Sequence, residues 1–125
     1  AGFRQYAYIL YKELFESTKG YNAFHISNLM QESAHVSEQT AIAYINAMKF
    51  RKDRLNTMLE STAPVLYIVG KYDLIIPFEA QVNEIIQYPE VELHIMRLSA
   101  HMSIYEQPRY CRKLISQFVE RNNTR

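Results

Sequence analysis

Two short segments carry the residues of this chain best suited to chemistry: Gly70-Lys71-Tyr72-Asp73 and Ser99-Ala100-His101-Met102. A carboxylate that accepts a hydrogen bond from a ring N–H fixes the tautomer of an imidazole. It also stabilises the imidazolium formed when the ring takes a proton. An imidazole has a reference pKa of about 6.5 and suits general-base work near neutral pH. Asp73 and His101 are therefore the candidate acid and base of a hydrolytic triad. Its nucleophile is missing from the pattern. The chain has 3 glycines and no G-x-S-x-G turn, the tight strand-to-helix bend that can present a nucleophilic serine.

The elements around these segments explain why they should meet. Val65-Leu66-Tyr67-Ile68-Val69 is a continuous apolar run, β-branched at both ends. It reads as a strand buried on both faces of a parallel sheet. In Val91 to Arg97, the residues Val91, Leu93 and Ile95 alternate with more polar ones, as in a half-exposed strand near a sheet edge. Between the two, Phe78 to Gln87 reads as a helix with Val82, Ile85 and Ile86 on one face. Parallel strands point their C-terminal ends the same way, and ligand sites of α/β sheets gather there. Asp73 follows the first strand and His101 the second at equal remove, so both loops are expected at one sheet edge. A last helix begins at Pro108, a residue suited to the first helical position. It carries Cys111, Leu114, Ile115, Phe118 and Val119 inward.

Upstream the pattern is helical. Phe3 to about Ser17 repeats Phe3, Tyr6, Ala7, Leu10 and Leu14 at helical spacing. Tyr8, Ile9, Tyr11 and Phe15 lie off that stripe, so this helix is expected between two partners or under a lid. Thr18-Lys19-Gly20 should stop it. A second helix is expected from Asn22 to about Ser33, with Phe24, Ile26, Leu29 and Met30 as its apolar residues. Ser37 can cap a third. Its stripe, Ala41, Ile45, Met48, Leu55 and Leu59, runs on until Pro64 disfavours helix at Ala63. The expected fold class is α/β. Three N-terminal, cap-like helices (1–60) precede a β-α-β-α unit with two parallel strands (64–122), and the seam lies at 60–64.

Bulk properties narrow the function classes. The chain of 125 residues is long enough for one small domain with a core. With 14 basic and 13 acidic residues the net charge is +1, which gives no electrostatic footprint for nucleic acid. The basic run Lys49 to Arg54 reads as a solvated helix face, with Asp53 paired to Lys49 or Arg54. The single cysteine, Cys111, excludes an internal disulfide and reads as a small core residue. His25, His35 and His94 lack metal-ligand spacing, and no cysteine pair supports a zinc site. No metal or cofactor is expected, and His94 is expected at a surface or interface. There are 10 Tyr and 6 Phe but no Trp, and the rings of the first half are expected to pack helices. No apolar run has membrane-spanning length and no signal-peptide pattern is present, so a cytoplasmic protein is expected. The chain opens on Ala1 and not on Met, as a fragment or processed chain would.

The stretches Pro64-Val65-Leu66-Tyr67-Ile68-Val69-Gly70-Lys71-Tyr72-Asp73-Leu74-Ile75-Ile76-Pro77 and Ser99-Ala100-His101-Met102, with Glu106-Gln107-Pro108 downstream, carry a resemblance. From Pro64 to Glu120 the chain resembles the C-terminal end of the α/β-hydrolase fold. Residues 1 to about 60 resemble the later cap helices of that family. The resemblance implies that Asp73 is the acid after the penultimate strand and His101 the histidine after the last. The family's chain order is nucleophile, acid, histidine, which places the nucleophile upstream of residue 1. Ala100 stands where the family often has glycine. The nucleophile turn, the oxyanion-hole loop and the first strands of the family have no counterpart in these residues.

The resemblance thus implies the cap and C-terminal catalytic part of a hydrolase for an ester, thioester, amide or similar small apolar substrate. It also implies that the 125 residues alone are inactive. An upstream aspartate nucleophile would imply a dehalogenase or epoxide hydrolase instead. Glu106 is expected to brace the histidine loop and cap the last helix. The alternative function is a non-catalytic interaction module. An open strand edge and uncovered helix faces predict a homodimer of this chain.

Overall fold

Alternating or continuous β-branched runs make strands, and 3.6-residue apolar spacing makes helices. The computed structural model, which describes residues 3–16, 20 and 22–123, follows this division. The order is α1 (Phe3–Leu14), α2 (Asn22–Ser33), α3 (Glu38–Lys49), α4 (Leu55–Leu59), β1 (Val65–Gly70), α5 (Phe78–Ile85), β2 (Val91–Met96), α6 (Ser103–Glu106) and α7 (Pro108–Asn122). Among the described residues this is a mixed α/β arrangement of seven helices and one two-stranded parallel sheet. The expected stop at Thr18-Lys19 and the Phe3 side chain lie outside the described residues.

β1 and β2 pair in parallel, with Val65 opposite Val91 and Gly70 opposite Met96. Successive side chains of a strand face opposite ways. Tyr67 reaches Gln81 on α5. On the other face His94, the register partner of Ile68, meets the Tyr110 ring of α7 edge-on at 5.4 Å. Glu92 forms an exposed ion pair with Arg121 of α7, whose Nη2 donates to both carboxylate oxygens, at 2.8 and 2.9 Å. The sheet is thus sandwiched between α5 and α7. Its buried centre lies at the C-terminal ends of the strands, where Val69, Met96, Ser99 and Ala100 are enclosed.

Several expectations change. β1 is not buried on both faces: Val65 to Ile68 are half-buried and only Val69 and Gly70 are enclosed. β2 is its one partner among the described residues, so the strand lacks the second neighbour that would cover it. The long third helix breaks after Lys49. Asp53 lies in the break and accepts from Leu55 N–H at 2.8 Å, a local side-chain bond that competes with helix. Asp53 therefore restarts the chain into α4 and does not sit on a helix beside Lys49 or Arg54. The Ser37 cap forms, with its hydroxyl accepting from Thr40 N–H at 3.1 Å.

The helix faces are also narrower than their apolar content. α1 turns Ala7, Leu10, Tyr11 and Leu14 inward, while Tyr6, Tyr8 and Ile9 are about half exposed. α5 buries Gln81 and Ile85, half-buries Val82 and leaves Ile86 exposed. α7 buries Cys111 and Leu114, while Ile115 and Val119 face outward. The one-turn α6 has no counterpart in the sequence pattern; it is closed by Tyr105 and Glu106 N–H bonds to Met102 O, at 2.8 and 3.0 Å.

Candidate active site

Asp73 is placed by the turn that leaves β1. Lys71 N–H bonds Met96 O and Tyr72 N–H bonds Ser99 O, each at 3.0 Å, so this turn is stitched to the loop after β2. The approach is close enough that a Cβ on Gly70 would overlap the Ala100 carbonyl and lie 2.8 Å from Ser99 O. Among the described residues no glycine has positive φ; Gly70 is required by space alone.

His101 is placed from the other side. Its N–H and that of Met102 both bond Leu14 O at the end of α1, at 3.0 and 3.2 Å. Glu106 completes the brace. Its Oε2 accepts from Ala100 N–H at 2.8 Å, and its Oε1 accepts from Glu16 N–H at 2.6 Å and Asn22 Nδ2 at 3.4 Å. Burial pushes the Glu106 carboxyl up, opposed by these same hydrogen bonds. Glu106 therefore braces the histidine loop as expected; the N-cap of α7 is Gln107, which makes no side-chain cap bond. Ser99 is fully buried and donates to Gln107 Oε1 at 2.9 Å. The His25 ring, between Phe15 and Tyr105, at 6.1 and 5.3 Å, belongs to an aromatic cluster under this loop.

Asp73 Oδ2 and His101 Nδ1 meet at 2.9 Å. Asp73 is buried, at 7% exposure. Its Oδ1 accepts from Ile75 and Ile76 N–H, both at 2.9 Å, and its Oδ2 also accepts from Gln81 Nε2 at 3.2 Å. Burial presses this carboxyl upward. The Ile76 N–H, the His101 ring and the Ile75 N–H outweigh it, so the group lies below the ordinary aspartate range. An ionised carboxylate only accepts, so Nδ1 of His101 must be the donor. In the neutral ring that leaves Nε2 with its lone pair. Among the described residues Nε2 has no hydrogen-bond partner. The nearby Ser103 hydroxyl donates to Ala100 O and the Cys111 thiol to Ser103 O, each at 3.4 Å. Burial pushes that thiol up, away from thiolate chemistry.

A pocket of about 240 Å³ adjoins both residues, walled by Ile68, Val69, Cys111 and Ile115. A larger one of about 490 Å³ lies between α1 and α2, lined by Tyr8, Phe15, Ile26 and Met30 but by neither member of the pair. Among the described residues no group of three or more His, Cys, Asp and Glu could hold a metal ion. Nor is any helix long and apolar enough to cross a membrane.

Sequence reasoning found Asp73, His101 and Glu106 and missed Gln81. The available signal was a polar residue one turn before Ile85 on the sheet-facing side of the helix that follows the Asp73 turn. His94, expected at a surface or interface, is half-buried against Tyr110, and its Nε2 is enclosed with no hydrogen-bond partner among the described residues.

No protein-family model matches this chain, and no curated protein does. The functional reading therefore rests on residues and geometry.

Proposed function

We propose that this chain supplies the acid and histidine of a nucleophile–histidine–acid hydrolase site, as the C-terminal portion of an α/β-hydrolase acting on an ester or related small apolar substrate. The observation that carries the reading is the 2.9 Å Asp73 Oδ2 to His101 Nδ1 contact at the C-terminal end of a parallel strand pair. The acid stands on the first strand's loop and the histidine on the second's, in the chain order of that fold.

In this reading a serine upstream of residue 1 attacks the substrate carbonyl. As its oxygen bonds to carbon, its proton passes to His101 Nε2. The ring returns that proton to the leaving oxygen as the old C–O bond breaks, and water repeats the sequence to free the acid. Asp73 holds the ring and offsets its transient charge. The test is the coding sequence upstream of Ala1 and the activity of its product. The expected result is a strand followed by G-x-S-x-G and hydrolysis of short p-nitrophenyl esters. His101→Ala should lower that activity on the order of ten-thousand-fold. A product whose esterase activity survives His101→Ala overturns the reading.

A second reading is favoured by a separate observation. Phe50 and Leu74 are each 73% exposed and Tyr44 69%, and one edge of β1 is unpaired among the described residues. An open strand edge and exposed apolar side chains are each templates for association. A non-catalytic module that pairs with a second copy of itself would use them. Light scattering that finds a stable monomer at micromolar concentration counts against this module.

A further inference from the structure

We propose that Gln81, oriented by Tyr67, is a positioning residue for the Asp73–His101 pair; the proposal rests on the hydrolase reading of that pair. Gln81 is 7% exposed, and all of its side-chain bonds agree on one orientation. Its Nε2 donates to Asp73 Oδ2 at 3.2 Å and to Ile76 O at 2.6 Å. Its Oε1 accepts from the Tyr67 hydroxyl at 3.2 Å. Flipping the amide would set an oxygen against two acceptors and an NH₂ against the Tyr67 donor. Burial, followed by the nearby Glu84 and Asp73 carboxylates, pushes the Tyr67 phenol up, so the hydroxyl keeps its proton and its donor role.

What this does for the pair follows from the lone pairs of Asp73. The backbone N–H groups of Ile75 and Ile76 hold Oδ1 and leave Oδ2 for the active side. Oδ2 has room for two donors. Gln81 occupies one site and leaves the other for Nδ1 of His101. Without Gln81 the enclosed oxygen would have one donor fewer, and the carboxylate could turn about its last torsion or admit water. His101 would then lose the fixed partner that selects its Nδ1–H tautomer, and with it the free lone pair on Nε2. Gln81 and Tyr67 act through Asp73. They stand on α5 and β1, the helix and the strand on either side of the Asp73 turn.

The experiment is ring-nitrogen NMR of the ¹⁵N-histidine-labelled chain at a pH where the imidazoles are neutral. In the wild type His101 should show one tautomer, protonated at Nδ1. Gln81→Met should lower the tautomer ratio about tenfold, the scale of one hydrogen bond, and Tyr67→Phe should move it the same way by less. A merely structural role would lower the unfolding midpoint and leave the tautomer unchanged, and that result overturns the proposal. Asp73→Asn separates the two levels. If it leaves the His101 tautomer unchanged, the hydrolase reading of the pair fails. If it shifts the tautomer while Gln81→Met does not, the pair stands and the role of Gln81 is wrong. Should Gln81→Met not fold, Tyr67→Phe carries the test, and an unchanged tautomer in that variant overturns the proposal.

Discussion

Asp73 and His101 lie 28 positions apart and touch at 2.9 Å, because each leaves the same end of neighbouring parallel strands. Adjacent strands are separated by about 4.8 Å, a gap that a carboxylate and an imidazole close between them. The ring is held on one nitrogen only. Among the described residues nothing hydrogen-bonds the other. The chain by itself should therefore hydrolyse p-nitrophenyl acetate no faster than free imidazole at equal concentration. Saturable turnover by the purified chain that disappears on His101→Ala would show that these residues carry a nucleophile after all.

Gly70→Ala tests how tightly the two loops are joined. The added Cβ would overlap the Ala100 carbonyl, with Ala100 C at 2.6 Å and Ser99 O at 2.8 Å. All three obstacles are backbone, so no side chain can swing aside. The loop that carries His101 has to shift, at a cost of about 3 kcal/mol. Urea unfolding measures the loss, and the His101 ring signals should move with it. A loss below about 0.5 kcal/mol would mean that the loop yields freely and is not held by this contact.

The sheet and its site were legible because they rest on short-range patterns. Val65 to Val69 and Val91 to Met96 declare themselves by β-branching and alternation. The loop positions of Asp73 and His101 follow from where those runs end. The helical half was less legible. Ala41, Ile45, Met48, Leu55 and Leu59 fit one long stripe, yet Asp53 breaks it through a bond to Leu55 N–H. Periodicity does not register that kind of local competition. Periodicity also merges inward and outward apolar faces. Ile86, Ile115 and Val119 belong to apolar stripes, but no described element covers them. Gln81 escaped notice for a different reason. Its role depends on two partners, Tyr67 and Asp73, and distance in sequence hides their meeting.

The depressed Asp73 carboxyl predicts a sign for acid sensitivity. Its folded value lies below the unfolded one, the net result of hydrogen bonds from Ile76, His101 and Ile75 overcoming burial. Folding therefore favours the ionised form. The stabilisation is complete above the unfolded aspartate value of about 3.9 and is lost as pH falls through the folded one. The difference in urea midpoint between wild type and Asp73→Asn should be largest near pH 6 and shrink towards pH 3. A difference that stays constant over that range would show that Asp73 does not titrate with folding.

Glu106→Ala tests the brace behind the histidine. One carboxylate accepts from Ala100 N–H, Glu16 N–H and Asn22 Nδ2, and so joins the end of α1 and the start of α2 to the loop that bears His101. Truncation removes the acceptor for the adjoining backbone donors in a buried place. Each buried donor left unpaired costs about 1–3 kcal/mol, and some water entry offsets part of the sum. A net loss of about 3 kcal/mol is expected. Glu106→Gln should lose less, since its amide oxygen still accepts, although its NH₂ cannot serve the donor that Oε2 serves now. Hydrogen exchange gives the more specific readout. The amides of Ala100 and Glu16 should lose protection together in Glu106→Ala, while those of β1, such as Val69, keep most of theirs. Independent behaviour of Ala100 and Glu16 would break the claim that one side chain couples them. The Leu14 carbonyl, which accepts from both His101 and Met102 N–H, would then be the main tie between α1 and the candidate site.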